Sequence, residues 1–344
     1  TGSSRTTTEA LPVPPIRLAQ MSVERWPVAG AFTISRGAKT HVDVVLCVVT
    51  DGVQEGRGEA TPIYYHGETA EGCAQAIGDY CAALGSQSLS REAVQAAMPR
   101  GAARNALDCA LWDLESRRQG VPVWQLAGLA EPKPLPTAYT ISIDAPARME
   151  SDARAAAGRG FRLLKCKLGG EGDMERIAAV RQGAPDVRLI VDANESWNDL
   201  DIAAEAAALG ALGVELIEQP VRRGQEQRLS GVTSLVPFCA DESCQDRADM
   251  PALASFPVIN IKLDKAGGLT EAIALRDAAI EQGKKLMLGC MLSTSLGIAP
   301  AFLLAGEADW VDLDGALLLA RDREGGLFMQ DGLLHPGTLW GLPR

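Results

Sequence analysis

From residue 135 onward the chain alternates short apolar runs with alanine-rich stretches of helical character. The apolar runs cover 138–143, 163–168, 188–192, 214–218, 237–240, 258–261, 286–288 and 310–313. Continuous apolar runs this short, bounded by turn residues, suit strands buried on both faces. Strands that alternate with helices predict parallel βαβ units. Eight such units close into a barrel of the triosephosphate isomerase type. An open doubly wound sheet is the competing arrangement, but no G-x-G-x-x-G follows any of the runs; Gly169-Gly170 and Gly267-Gly268 lack that pattern. The expected fold is therefore an α/β chain whose main unit is a (β/α)8-type barrel.

Residues 21–130 read differently. Strand-like segments at 22–26 and 42–50 precede helical ones, of which 102–118 is the clearest. There Ala103, Ala106, Leu107, Ala110, Leu111 and Leu114 recur at helical spacing, and Gly120 and Pro122 stop the helix in the expected order. This is an α+β module ahead of a barrel over 131–320. Residues 321–344 carry no further barrel unit and are expected to pack back onto that module. Residues 1–20, rich in Ser, Thr and Pro, are assigned to a tail without the basic and apolar regions of a secretory signal, with Met21 as the expected start.

Composition narrows the partners. A net charge of −11 speaks against nucleic acid and anionic membrane surfaces, which select basic patches. The chain also has no apolar run long enough to span a bilayer. The eight cysteines include no C-x-x-C, and several sit in apolar runs. They are expected to be free thiols in a reducing, cytoplasmic setting. With only three histidines, His41, His66 and His335, any metal must be held by oxygen. A homo-oligomer is compatible with everything so far.

The ends of the predicted strands carry the chemistry. In order they present Lys165 and Lys167, then Asp192, Glu218, Asp241, Lys265, Cys290, and Asp312 with Asp314. Three successive strands each deliver one carboxylate, at intervals of 26 and 23 residues. A carboxylate ending an apolar strand is costly unless neutralised, and three that converge require a cation. A few hard oxygen ligands with open positions suit Mg²⁺. A buried ion network with the lysines is the plainer alternative. Asn194 and Glu242 are further candidates beside the metal. Lys165 and Lys167 share one strand face, so mutual repulsion is expected to strip a proton from one and make it a general base. Lys265, after the sixth strand, would face them across the metal. Lys262 reads as an inward structural lysine, next to Asp264.

K-x-K, D-A-N, E-Q-P, A-D-E-S and N-I-K-x-x-K-A-G-G, in this order, resemble the muconate lactonising branch of the enolase superfamily, over nearly the whole chain from Met21. Within it the sequence is most similar to dipeptide epimerases of the L-Ala-D/L-Glu type, through GAARNALDCALWDL, IVDANESW, FCADESC, KLDKAGGLTEA and LGCMLSTS. The resemblance implies a capping domain at 21–130 and one Mg²⁺ on Asp192, Glu218 and Asp241. It further implies acid/base roles for Lys167 and Lys265, since a lysine or histidine base beside Mg²⁺ belongs to the superfamily. It assigns Lys165 to the substrate carboxylate, Thr140 and Cys290 to the substrate, and Asp312 with Asp314 to a dipeptide ammonium. Arg36, or Lys39 in its place, would meet an acidic side chain. N-acylamino acid racemase, o-succinylbenzoate synthase and muconate cycloisomerase share such a site, but their substrates carry no free ammonium for an Asp-x-Asp.

Overall fold

The computed structural model describes residues 14–34 and 37–342. A three-stranded antiparallel sheet opens the chain: β1 (Arg17–Ile34), β2 (Gly37–Thr50) and β3 (Glu55–Ala60). Helices α1 (Ala70–Leu84), α2 (Arg91–Ala97) and α3 (Ala102–Gln119) follow, with the single turn α4 (Val123–Leu126) after them. Local chemistry marks their ends: the Thr69 hydroxyl caps α1 by accepting from Gly72 N, and Gly120 closes α3 at φ +66°. Val45, Cys47 and Val49 from β2 pack on Ala106, Leu107, Ala110 and Leu114 from α3, forming the core of this cap.

One expectation here is corrected, and one strand went unread. Four residues of the segment assigned to a tail, Arg17 to Gln20, lie in β1, with Arg17 opposite Thr50 and Leu18 opposite Val49. Ile16 and Leu18 pack against the cap core, an apolar signal hidden among the prolines before them. In addition β3, unread in the sequence because Glu55, Arg57 and Glu59 alternate with glycine, completes the sheet.

The barrel strands are β4 (Ala138–Ile141), β5 (Leu163–Lys167), β6 (Arg188–Asp192), β7 (Val214–Glu218), β8 (Phe238–Ala240), β9 (Val258–Ile261), β10 (Lys285–Gly289) and β11 (Trp310–Asp312). They pair in parallel, in chain order. Each contributes one residue to an inner layer of Ala138, Leu163, Ile190, Leu216, Cys239, Val258, Met287 and Trp310. This layer fills the barrel beneath its C-terminal mouth. The first and last strands meet at a seam bridged by side chains. Thr137 Oγ1 accepts from Leu313 N (2.9 Å), and Asp314 Oδ2 accepts from Thr140 N (2.7 Å).

Helices α5 (Pro146–Gly158), α6 (Asp173–Gly183), α7 (Ile202–Ala211), α9 (Leu269–Glu281) and α10 (Ser295–Phe302) line the outside, with the single turn α8 (Leu263–Ala266) between β9 and α9. The regular alternation expected from the sequence fails at two places. After β7 and β8 only 3₁₀ turns form, at Glu226–Leu229 and Arg247–Ala252. Gly224, Gly231 and Pro251 interrupt those segments and deny them a continuous helical ladder.

Beyond the barrel, β12 (Phe328–Gln330) and β13 (Leu333–His335) form a hairpin, and the last described residues return to the cap. Gly341 N donates to Asp113 Oδ1 (2.9 Å), Trp340 Nε1 to Cys109 O (3.2 Å), and Arg57 to Leu339 O (2.6 Å). Among the described residues no helix is long and apolar enough to cross a membrane. All eight cysteines are free.

Candidate active site

The parallel register sets the site's geometry. Lys167 pairs with Asp192 and Asp192 with Glu218, so these groups leave three neighbouring strands at one level, and Asp241 follows directly after β8. One carboxylate oxygen from each of Asp192, Glu218 and Asp241 lies within 4.8 Å of the others, and all three residues are buried. Backbone strain accompanies the convergence. Asn194 (φ +43°), Glu195 (+66°) and Gln219 (+36°) follow closely on β6 and β7 in the left-handed region, which costs non-glycine residues free energy.

Four lysines surround the acids. Lys165 Nζ lies 2.5 Å from Glu218 Oε2, 2.7 Å from Asp312 Oδ2 and 3.3 Å from Asp192 Oδ2. Lys167 Nζ donates to Asp192 Oδ2 (2.7 Å). Lys262 Nζ donates to Asp241 Oδ2 (2.7 Å), and Lys265 Nζ donates to Asp241 Oδ1 (2.6 Å) and to the Asp241 and Asn260 carbonyls. Lys167 and Lys265 therefore sit on different acids of the triad. Lys265 is carried by the helical turn α8 rather than by a strand.

Electrostatics bear on which lysine of K-x-K stays protonated. Burial alone would depress Lys165, but Asp312, Glu218 and Asp192 outweigh it and hold the ammonium well above its ordinary value. Mutual repulsion within K-x-K does not deprotonate this lysine, because oppositely charged partners are nearer than its neighbour's charge is effective. Lys262 is held up likewise, with Asp241 and then Glu218 outweighing burial. Burial would raise Asp192, but Lys167 and Lys165 bring it down to about 2. Glu218 goes the other way: burial first, then the charge of Asp192, pushes it up to about 8. Asp314 is pushed up to about 7 by burial and by Asp312.

These features fit a bound divalent cation. Its donors would all be hard carboxylate oxygens, one from each of three buried acids within 4.8 Å of one another, where the Lys165 ammonium 2.5 Å from Glu218 Oε2 already marks a place for positive charge. A cation there would also offset the burial and the Asp192 charge that push Glu218 up.

Of the remaining candidates, Thr140, Cys290, Asp312, Asp314, Asn194, Glu242 and Lys262 line the same cavity as Lys165 and Lys167, while Lys265 is buried and is not among the lining residues. Cys290 Sγ contacts Asp312 O at 3.5 Å. The cap closes the cavity with Phe32, Lys39, Tyr64 and Tyr65. Lys39 lies 4.0 Å over the Tyr64 ring. Arg36 lies outside the described residues.

Sequence reasoning passed over three supports. Asn260 Nδ2 donates to Glu218 Oε1 (2.8 Å). Gln219 Oε1 accepts from Asp241 N (2.9 Å) and Ser243 N (3.1 Å), while its Nε2 donates to Ser243 Oγ and Val221 O. Glu59, on the missed strand β3, accepts from Ser293, Thr294 and Arg323. The first two stand inside N-I-K and E-Q-P, so a polar residue flanking each lysine or acid was the available signal.

Comparison with known proteins places this geometry. Residues 148–342 match the family model described as enolase C-terminal domain-like, and residues 16–128 match the mandelate racemase/muconate lactonizing enzyme N-terminal domain. The chain belongs to the enolase superfamily. Among its curated relatives, the L-Ala-D/L-Glu epimerase of Escherichia coli is 41% identical, over 93% of this chain and 100% of that protein. The N-acetyl-D-glutamate racemase of a Pseudoalteromonas species is 38% identical over 87% and 95%. Two solved superfamily structures are also similar. One is an Agrobacterium tumefaciens member with homology to dipeptide epimerases, holding sodium and L-Ala-L-Glu (TM-score 0.90, 45% identity, 95% of this chain and 100% of that one). The other is the dipeptide epimerase of Enterococcus faecalis with Mg and L-Leu-L-Tyr (TM-score 0.86, 30% identity, 95% and 98%).

Proposed function

We propose that this enolase-superfamily chain epimerises dipeptides of the L-Ala-D/L-Glu class by moving one proton between Lys167 and Lys265. The observation that carries the reading is the attachment of these two lysines to different members of the acid triad, Asp192 and Asp241. A substrate carboxylate seated at the triad then has an amine on either side of its α-carbon. One lysine, neutral at the moment of attack, takes the α-proton, and the other, as ammonium, returns a proton to the opposite face, inverting the centre. Asp192, Glu218 and Asp241 would hold one Mg²⁺. When bound, that ion supplies a Lewis acid that offsets charge developing on the substrate carboxylate. Lys165, held charged, contributes a fixed positive group beside the same carboxylate.

Substrate class follows from the ends of the cavity. Asp312 and Asp314 offer buried carboxylates to a dipeptide ammonium, and Asp312 Oδ1 makes no hydrogen bond. Thr140 and Cys290 flank them. Arg36, which lies outside the described residues, or Lys39 in its place, is the proposed contact for an acidic C-terminal side chain. Eight unpaired cysteines fit a reducing, cytoplasmic setting.

The likeness to an N-acetyl-glutamate racemase supports a second reading with the same proton transfer and no ammonium. A dipeptide library, with N-acetyl- and N-succinyl-glutamate included, incubated in D₂O and read by mass spectrometry separates the two. L-Ala-D-Glu and L-Ala-L-Glu should gain one deuterium and interconvert. Faster turnover of an N-acylated amino acid than of any dipeptide would overturn the ammonium roles.

A further inference from the structure

Lys265 differs from Lys167 in what carries it. Lys167 ends a barrel strand paired on both sides, whereas Lys265 rides on α8, a single turn that chain-local forces alone leave marginal. Its neighbours, however, are bonded one after another to the cap. Asp264 Oδ1 accepts from Asn105 Nδ2 (2.8 Å) on α3 and from Thr61 N (3.0 Å) just after β3. Arg104 on α3 donates Nη2 to Ala266 O (2.6 Å) and Nε to Gly267 O (3.0 Å). Gln95 Nε2 on α2 donates to Gly267 O (3.2 Å). Asp108 takes Thr270 N (3.0 Å) and Thr270 Oγ1 (2.6 Å).

The two glycines after Lys265 show how close this contact is. A Cβ at Gly267 would lie 2.4 Å from Arg104 Nε, and one at Gly268 would lie 2.4 Å from Asp108 Oδ2. Both residues also have positive φ, +81° and +120°. A buried guanidinium that spends its donors on backbone carbonyls, at the C-terminal end of a one-turn helix, holds that turn in place from outside the barrel. Among the described residues, no bond of this kind runs from α3 to β5.

The geometry points to α3 of the cap, through Arg104 and Asp108, as the positioning element for Lys265 but not for Lys167. The inference rests on the two-lysine reading above. One face of the proton transfer then depends on the docking of the cap helix α3, whereas Lys167 meets the cap at the Phe32 ring of β1, 6.0 Å from its Nζ.

Arg104→Gln tests this with two readouts. In hydrogen–deuterium exchange, amides over 262–270 should take up label at least tenfold faster than in the wild type, while those over 163–168 stay unchanged. In D₂O, α-proton exchange of the epimer that Lys265→Ala loses should fall tenfold or more. Exchange of the epimer that Lys167→Ala loses should stay within twofold. Arg104→Lys, which keeps the charge and part of the bonding, should fall between, and Asp108→Asn serves if Arg104→Gln does not fold. Equal slowing of both epimers, no change in either, or unaltered protection over 262–270 overturns the positioning role. Failure of the two-lysine reading is separate, since it shows as the two lysine variants losing the same epimer.

Discussion

Lys165 is the side chain whose surroundings most change its reading. Two lysines two positions apart suggest a depressed pKa, yet three carboxylates from β6, β7 and β11 hold Lys165 charged. The proposed proton-transfer pair is Lys167 and Lys265, and their attachment to different acids makes a prediction. Lys167→Ala and Lys265→Ala should each stop epimerisation in both directions, while each still washes deuterium into one epimer, the two choosing opposite ones. NMR of the α-proton in D₂O checks this; either variant epimerising at the wild-type rate would end the scheme. Asp314 gives a pH prediction. Burial and the charge of Asp312 hold it up to about 7, so it is neutral below that pH and ionised above. An ammonium partner needs the ionised form, so KM for the dipeptide should rise by up to about tenfold per pH unit on acidification below pH 7. Asp314→Asn should flatten that profile and raise KM at pH 8 without weakening Mg²⁺ binding.

At the level of elements, strand and helix positions in the barrel follow from apolar runs and end signals, and three of the eight strands have the bounds the pattern gives: β6, β7 and β9. Charged alternation concealed β3, because its identity depends on what it touches. Gly56 and Gly58 let it lie against α3, where a Cβ at Gly58 would stand 2.0 Å from Ala106 O and one at Gly56 would stand 2.2 Å from Ala110 O. Gly58→Ala must push strand and helix apart and is expected to cost about 1–3 kcal/mol. The loss should appear as a lower urea midpoint at unchanged slope. Gly158→Ala, in a helix with open space around the new methyl, should be neutral or stabilising by up to about 1 kcal/mol. A midpoint unchanged by Gly58→Ala would contradict the close packing of β3 on α3.

Across the whole molecule, cap, barrel and C-terminal segment are tied at buried polar points. Arg323 reaches Glu59 of β3 and Glu24 of β1, while Glu59 also accepts from Thr294 at the start of α10. A metal at the triad would add to this, because an ion bound only by the folded state stabilises it. At a concentration about a hundred times its Kd, Mg²⁺ should raise stability by about 2.7 kcal/mol. Chelation should therefore lower Tm by several degrees and abolish turnover, with Mg²⁺ restoring both. Glu218→Gln keeps the volume of the ligand but not its charge, and its Tm should no longer respond to Mg²⁺. Full turnover by the chelated protein would remove the metal from the proposal.

The sequence by itself determined the order of the eight barrel strands, because hydrophobic period and end signals are local, but not that 3₁₀ turns replace helices after β7 and β8. It also determined the identity of the chemical groups, since strand ends in this architecture converge wherever the barrel closes. Only the tertiary structure decided that Lys165 is held charged, because that depends on distances among β5, β6, β7 and β11 that no local pattern encodes. Two further outcomes depended on it. Arg17 to Gln20 pair with β2 although their own composition reads as tail, and the Lys265 turn is held by a helix more than 150 residues earlier in the chain, as the separations of 159 and 162 residues to Asn105 and Arg104 record. Contacts of that range are set by packing, which a single sequence does not display.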